Sequence, residues 1–253
     1  VDDVDMDITH IVRGADHVTN TATQIQIMRA MGGTPPAFAH HSLLTGAQGE
    51  GLSKRLGTLS LRDLRAEGVA KEALLSLMAR LGSSQPVELK MSLDEIADGF
   101  ELSQFGAAPT KFDADDLWPL TRARNHALPF AAVKDRIAAL GVPADLAERF
   151  WRVASQNITK LDDLGHWWVL ARDGAEPVIA PEDQDFVREA MALLPPPPYS
   201  DAAWADWTAA VKEKTGRKGK GLFMPLRLAI TGEASGPEMA ELMPLLQKVR
   251  ARG

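Results

Sequence analysis

Within the first 45 residues two strand-like apolar runs flank one run of helical period, and that order restricts how the chain can close. Val4 to Arg13 alternates and then turns apolar, as a strand entering a sheet does. Gly14 to Asn20 is polar and turn-rich, and Thr21 to Met31 carries Ile25, Ile27, Met28 and Met31 at helical positions before Gly32-Gly33 stops it. Phe38 to Leu44 is a second short strand that runs into a polar, Gly-rich stretch, Thr45 to Gly51, and then Leu52-Ser53-Lys54-Arg55. Strands joined through a helix predict a parallel crossover, whose ligands bind at the carboxyl ends of the strands. Both polar loops, 14–20 and 45–55, then lie at that end.

From Ser60 onward the period is helical. Leu61 to Glu67 is closed by Gly68, Ala70 to Arg80 by Gly82, and Ser92 to Gly99 opens on a capping box of Ser92 and Glu95. Leu117 to Leu140, Pro143 to Ala154, Leu161 to Leu170, Pro181 to Leu194, Ala202 to Lys214, Pro225 to Thr231 and Pro237 to Arg250 follow, several begun by Pro in the first turn. The Pro195 to Pro198 run is a stiff extended connector, and Thr215 to Gly221 is a flexible basic loop. The expected fold is mainly α: an α/β piece of about 50 residues, then roughly 200 residues of helical bundle.

Composition removes several classes of function. The 253 residues contain no Cys, which excludes disulfides, thiolate catalysis, iron-sulfur clusters and Cys-containing zinc sites. The six His show no His-x-x-x-His spacing with a carboxylate partner, so no metal site is expected. No window approaches the run of about 20 apolar residues that a membrane span needs, and the acidic start is unlike a signal peptide. A cytoplasmic protein is expected. The net charge of −6 argues against a uniformly basic coat, and says nothing about local patches. A chain that opens on Val1, without Met, is expected to belong to something longer.

Three segments can carry chemistry. Lys54 and Arg55 with Ser53 offer an ammonium, a guanidinium and a hydroxyl that suit polyphosphate; alone, the tetrapeptide fits a surface turn with two solvated cations better, since short basic tetrapeptides are common. Arg13 at a strand end can hold a carboxylate in a bidentate fork while Asp16 and His17 meet a ribose or base, the alternative being a structural Arg-Asp pair. Arg149, Arg152, Gln156, Asn157 and Lys160 follow one helix to its end and can read unpaired bases and phosphates, although half-exposed helix faces look similar. Trp151, Trp167, Trp168, Trp204 and Trp207 sit at helical positions expected in the core.

Taken together, these segments resemble bacterial glutamyl-tRNA synthetase, a class I aminoacyl-tRNA synthetase. The block from Asp2 to Thr21 is similar to the strand and loop before the family's crossover helix, and Leu43-Leu44 with Leu52-Ser53-Lys54-Arg55 resembles its version of the Lys-Met-Ser-Lys-Ser signature. Gly57 to Arg65, Glu72 to Gly82 and Phe112-Asp113 continue the likeness. Gly216 to Gly232 resembles a helix opening in the last anticodon-binding domain. Glutaminyl enzymes end in β-barrels and the short tRNA-modifying paralogue stops earlier, so the helical C-terminal half argues against both.

The resemblance implies a C-terminal half: residues 1–48 as the second half of a Rossmann-type catalytic domain, 49–125 as signature loop and stem-contact region, and 126–194 and 195–253 as two all-α anticodon-binding domains. It implies that Arg13 faces glutamate, that Asp16 and His17 lie beside ATP, and that Leu43 and Leu44 hold the adenine. Lys54, supported by Ser53 and Arg55, would stabilise the pyrophosphate leaving group. Arg152, Gln156, Asn157, Lys160, Arg217, Lys218 and Lys220 would meet tRNA. ATP with Mg2+, L-glutamate and tRNA are the implied partners of a monomer, without zinc in this chain. Ala15 stands where many members carry an acid, Gly51 where the first signature Lys sits, and Asn157 where enzymes strict for glutamate tRNA carry Arg, so glutamine tRNA is a further expected substrate. No His-Ile-Gly-His stretch is present, and the chain alone is expected not to form glutamyl adenylate. The alternative is a non-catalytic tRNA-binding module.

Overall fold

The structure is a computed structural model that describes residues 1–46, 49 and 60–252. It divides into two units, Val1–Arg124 and Asn125–Gly253.

The first unit opens with a one-turn helix α1 (Asp2–Asp5), strand β1 (His10–Gly14), helix α2 (Val18–Ala30) and strand β2 (Ala37–His41). β1 and β2 pair in parallel, with Ile11 opposite Phe38 and Arg13 opposite His40, and α2 makes the crossover. The expected strand from Val4 is shorter than its alternation suggested. Asp2, Asp3 and Asp5 occupy a helical first turn, where the backbone dipole favours acids, and Val4 lies close against Gly33, which a Cβ would bring to 2.6 Å from its Cγ1.

The second run also divides. β2 stops at His41, and Leu44–Thr45 forms β3 in a separate sheet with β4 (Thr110–Lys111), a parallel partner too short to show a period in the sequence. The Ser42 and Thr110 hydroxyls, 2.9 Å apart, lie at the break. Helices α3 (Leu61–Glu67), α4 (Lys71–Met78), α5 (Leu93–Ala97) and α6 (Leu117–His126) follow the helical reading. Ser60 caps α3 by accepting the Asp63 N–H, and Gly68 ends it at φ 94°. At α5 the capping box is displaced by one residue: Ser92 accepts the Glu95 N–H, but the Glu95 carboxylate accepts from Met91 N–H at 3.0 Å. A small core of Leu64, Leu77, Phe112 and Leu117 holds these helices, with Leu44 packed against it.

In the second unit α7 (Lys134–Ala139), α8 (Ala144–Ala154), α9 (Asp163–Asp173), α10 (Gln184–Ala192), α11 (Ala203–Thr215), α12 (Lys220–Thr231) and α13 (Met239–Leu242) surround one apolar core. Trp151, Trp167, Trp168 and Trp207 are buried in it, as expected, and Trp204 is half-buried. Two buried indoles place their N–H groups on carbonyls, Trp207 on Ala190 at 2.8 Å and Trp151 on Leu128 at 3.3 Å, whereas the buried Trp168 Nε1 finds no partner among the described residues.

Prolines explain the departures from the expected helices. The run Leu117 to Leu140 is cut between α6 and α7 around Pro129, which removes a donor and pushes Leu128 from helical geometry. Pro237 to Arg250 shortens to α13 and a 3-10 turn at Met243–Leu245 that contains Pro244. Pro225 does not begin its helix; it lies inside α12, and the basic loop is accordingly reduced to Gly216 through Gly219. Pro225 cannot donate to the Gly221 carbonyl, and Arg217 Nη1 donates to it instead at 3.3 Å. The same guanidinium pairs with Asp183 and lies 4.0 Å from the centroid of the Phe186 ring.

Leu226 is fully buried on α12 while Phe223, one turn away, is 45% exposed. Leu226→Ala is expected to destabilise the helical unit by about 2–5 kcal/mol, and Phe223→Ala by less than about 1 kcal/mol. Urea unfolding followed by tryptophan fluorescence measures both.

Candidate functional site

Because β1 and β2 run the same way, Gly14 and His41 end side by side. Gly14 has no room for a side chain: a Cβ would fall 2.5 Å from Asp16 Oδ1 and 3.1 Å from Leu43 Cδ2. Asp16 and Leu43 therefore close over the strand end next to Arg13. The Arg13 guanidinium lies 5.3 Å from the Phe38 ring, donates from Nη2 to Thr21 Oγ1 at 2.6 Å, and keeps a buried Nε with no partner among the described residues. Asp16 and His17 occupy an exposed 3-10 turn, His17 Nε2 standing 3.8 Å from the Asp16 carboxylate. Leu43 is exposed, and its carbonyl accepts the Thr110 N–H at 3.0 Å. Leu44 faces inward onto the small core. Asp16 and Leu43 thus meet at Gly14 with His17 beside Asp16, while the Arg13 guanidinium turns to Thr21 and Phe38; Ser53, Lys54 and Arg55 lie outside the described residues.

In the helical unit the candidate readers cluster at the end of α8. Arg152 is exposed and 3.7 Å from Glu241. Gln156 is exposed on the 3-10 turn Ser155–Asn157. Asn157 is half-buried, donating from Nδ2 to the Val153 carbonyl while its own carbonyl accepts from Trp167 Nε1, both at 3.3 Å. The Thr159 and Lys160 N–H groups both bind the Asp163 carboxylate at 2.8 Å, which fixes the chain between α8 and α9. Lys218 and Lys220 are exposed at the start of α12, whereas Arg217 is engaged with Asp183, Phe186 and Gly221.

A further site lies beyond the residues picked from the sequence. A cavity of about 390 Å3 is lined by Trp204, Phe223, Met224, Arg227, Glu238 and Met239. The Trp204 and Phe223 rings stand 6.3 Å apart. Arg227 is held by the Glu233 carbonyl at Nε (3.1 Å) and the Pro237 carbonyl at Nη1 (2.9 Å), while its buried Nη2 has no partner among the described residues. Burial lowers the Arg227 pKa from its ordinary value, against the opposing effect of Glu238 and Glu233. Gly236, at φ 138°, permits this arrangement, since a Cβ there would meet Trp167 Cη2 at 2.4 Å and Arg227 Nη2 at 2.6 Å. Aromatic faces at such a cavity suit stacking on an unpaired nucleobase. The available sequence signal was Phe223 and Arg227 one helical turn apart, beside basic residues that drew attention to charge alone.

Among the described residues no group of three or more His, Asp and Glu could hold a metal ion, and no helix is long and apolar enough to cross a membrane.

Residues 1–119 match the family described as tRNA synthetases class I (E and Q), catalytic domain, and residues 175–252 match the anticodon binding domain. Among curated relatives, glutamate–tRNA ligase 1 of Paracoccus denitrificans is 77% identical and glutamate–tRNA ligase 2 of Cereibacter sphaeroides ATH 2.4.9 is 74% identical, each over all 253 residues. The chain spans 57% of the length of either relative. A solved glutamate tRNA ligase from Elizabethkingia meningosepticum, in complex with its amino acid, shares the fold with a TM-score of 0.77 at 24% identity, over 96% of this chain and 55% of that one. The glutamate-tRNA synthetase of Elizabethkingia anophelis gives 0.78 at 23%, over 97% and 55%. The strand-end residues thus lie in the stretch that matches the class I catalytic-domain family and the cavity in the stretch that matches the anticodon-binding family, and over its whole length the chain is similar to part of a glutamate–tRNA ligase.

Proposed function

We propose that this chain supplies the ATP-signature loop and the anticodon-binding part of a ligase that activates glutamate with ATP and transfers it to tRNA. The observation that carries the reading is the approach of Asp16 and Leu43 to Gly14 at the carboxyl ends of parallel strands, with Arg13 in the preceding strand position and the segment that contains Lys54 following in the sequence. Arg13 forks to a glutamate carboxylate, and Asp16 and His17 flank ATP. Leu43 and Leu44 hold the adenine, Leu44 by anchoring the strand from the core side. A glutamate carboxylate oxygen attacks the α-phosphorus of ATP, and pyrophosphate leaves. Lys54, with Ser53 and Arg55, neutralises the charge that grows on the leaving phosphates. Magnesium enters with the ATP phosphates as part of the substrate.

The tRNA side uses Arg152, Gln156, Asn157 and Lys160 after α8 and Lys218 and Lys220 before α12, with the Trp204–Phe223–Arg227 cavity taking an anticodon base. Arg217, placed on Asp183 and Phe186, supports the turn that presents the two lysines. The working division is 1–48, 49–125, 126–194 and 195–253, the last two sharing the core that runs from Val133 to Val249. The protein acts as a cytoplasmic monomer.

In the full-length ligase, Lys54→Ala is expected to lower glutamate-dependent pyrophosphate exchange by about 100-fold to 1000-fold with little change in the KM for glutamate. An unchanged rate assigns the segment to a surface turn. Filter binding of tRNA separates stacking from charge: Phe223→Ala should weaken binding by about 1–3 kcal/mol at every salt concentration, while Lys218→Ala flattens the dependence of log K on log salt by about 1.

Asn157 bears on tRNA choice, because a short amide can turn to suit more than one base where an Arg fork is strict. Charging assays on both tRNAs should give a preference for glutamate tRNA over glutamine tRNA below about 100-fold. A larger ratio rejects the relaxed reading.

A further inference from the structure

Thr21 closes the block that resembles the family and has no role assigned above, yet its side chain connects β1, α2 and β2. It is 8% exposed, and three polar groups converge on Oγ1: the His17 carbonyl at 3.0 Å, Arg13 Nη2 at 2.6 Å and His40 Nε2 at 2.9 Å. A hydroxyl has one hydrogen and two lone pairs. On a helix the hydrogen goes to the carbonyl four residues back, here His17, which leaves both lone pairs as acceptors. Arg13 and His40 must then both donate, so His40 carries its proton on Nε2 and the hydroxyl is saturated. With Nη2 tied to Thr21 and Phe38 beside the guanidinium, Arg13 has little freedom to turn, while its buried Nε still lacks a partner.

We infer that Thr21, backed by His40, is the positioning residue that holds Arg13 in the orientation that receives a substrate carboxylate. This rests on the proposed role of Arg13 in glutamate binding. Valine matches threonine in shape and keeps the backbone N–H on the His17 carbonyl, but it would take the acceptor from Arg13 Nη2 and His40 Nε2 in a buried place, and Arg13 would swing to find another.

Steady-state activation kinetics in the full-length ligase test the inference. Thr21→Val should raise the KM for glutamate by about 10-fold to 100-fold while the KM for ATP moves by less than about threefold, and Thr21→Ser, which keeps the hydroxyl, should restore the KM for glutamate. His40→Phe should shift the KM for glutamate in the same direction as Thr21→Val, by less. An unchanged KM for glutamate in Thr21→Val, or an equal rise in both KM values, overturns the positioning role. Arg13→Lys separates the two levels. If it raises the KM for glutamate and Thr21→Val does not, only the positioning role falls; if Arg13→Lys leaves that KM unchanged, the role of Arg13 falls and the inference with it.

Discussion

The candidate catalytic cluster depends on one constraint: β1 and β2 run in the same direction. Parallel neighbours cannot be joined by a tight turn, so α2 has to carry the chain back before β2 begins. That return makes both strands end at one side, and it places Thr21, on the crossover helix, between Arg13 and His40. Gly14 then decides how closely the loops can approach, because Asp16 and Leu43 occupy the space where any other residue would put its Cβ. Topology, a helical hydroxyl and a missing side chain thus arrange chemistry that no single segment contains.

The helical unit reaches a comparable result through periodicity. α12 seats Leu222, Leu226, Ala229 and Ile230 in the core, and the intervening positions show Phe223 and Arg227 to the cavity. On α11 the same division puts Trp207 inside, on the Ala190 carbonyl, and leaves Trp204 at the opening. The core and the cavity therefore draw on different faces of the same two helices.

Much of this was legible in the sequence where a single periodicity governs a segment. α3 has the limits that Ser60 and Gly68 mark, and the strand-helix-strand order at the start reads directly. The misreadings have separable causes. The alternation from Val4 was broken by acids that favour a helical first turn, and Pro129 and Pro244 cut runs whose apolar spacing continues across them. β4 has only two residues and owes its existence to β3 rather than to a pattern of its own. Arg217 looked like its basic neighbours, since no linear feature reveals that Asp183 and Phe186 wait for it 34 and 31 residues earlier in the chain. The cavity was hidden for the same reason: its walls come from α11, α12 and the turn after Gly236.

The pairing of Pro225 with Arg217 has an evolutionary consequence. The proline leaves the Gly221 carbonyl without a helical donor, and the arginine satisfies it from outside the helix. Variation at the two positions is therefore directional. If Pro225 is replaced first, a backbone N–H becomes able to reach Gly221, and Arg217 can later drift at reduced cost. If Arg217 drifts first, the exposed carbonyl falls back on water and Asp183, the more buried partner, loses its counter-charge, so the lineage crosses a less stable intermediate. The two sites should exchange residues along one mutational route far more readily than along the other.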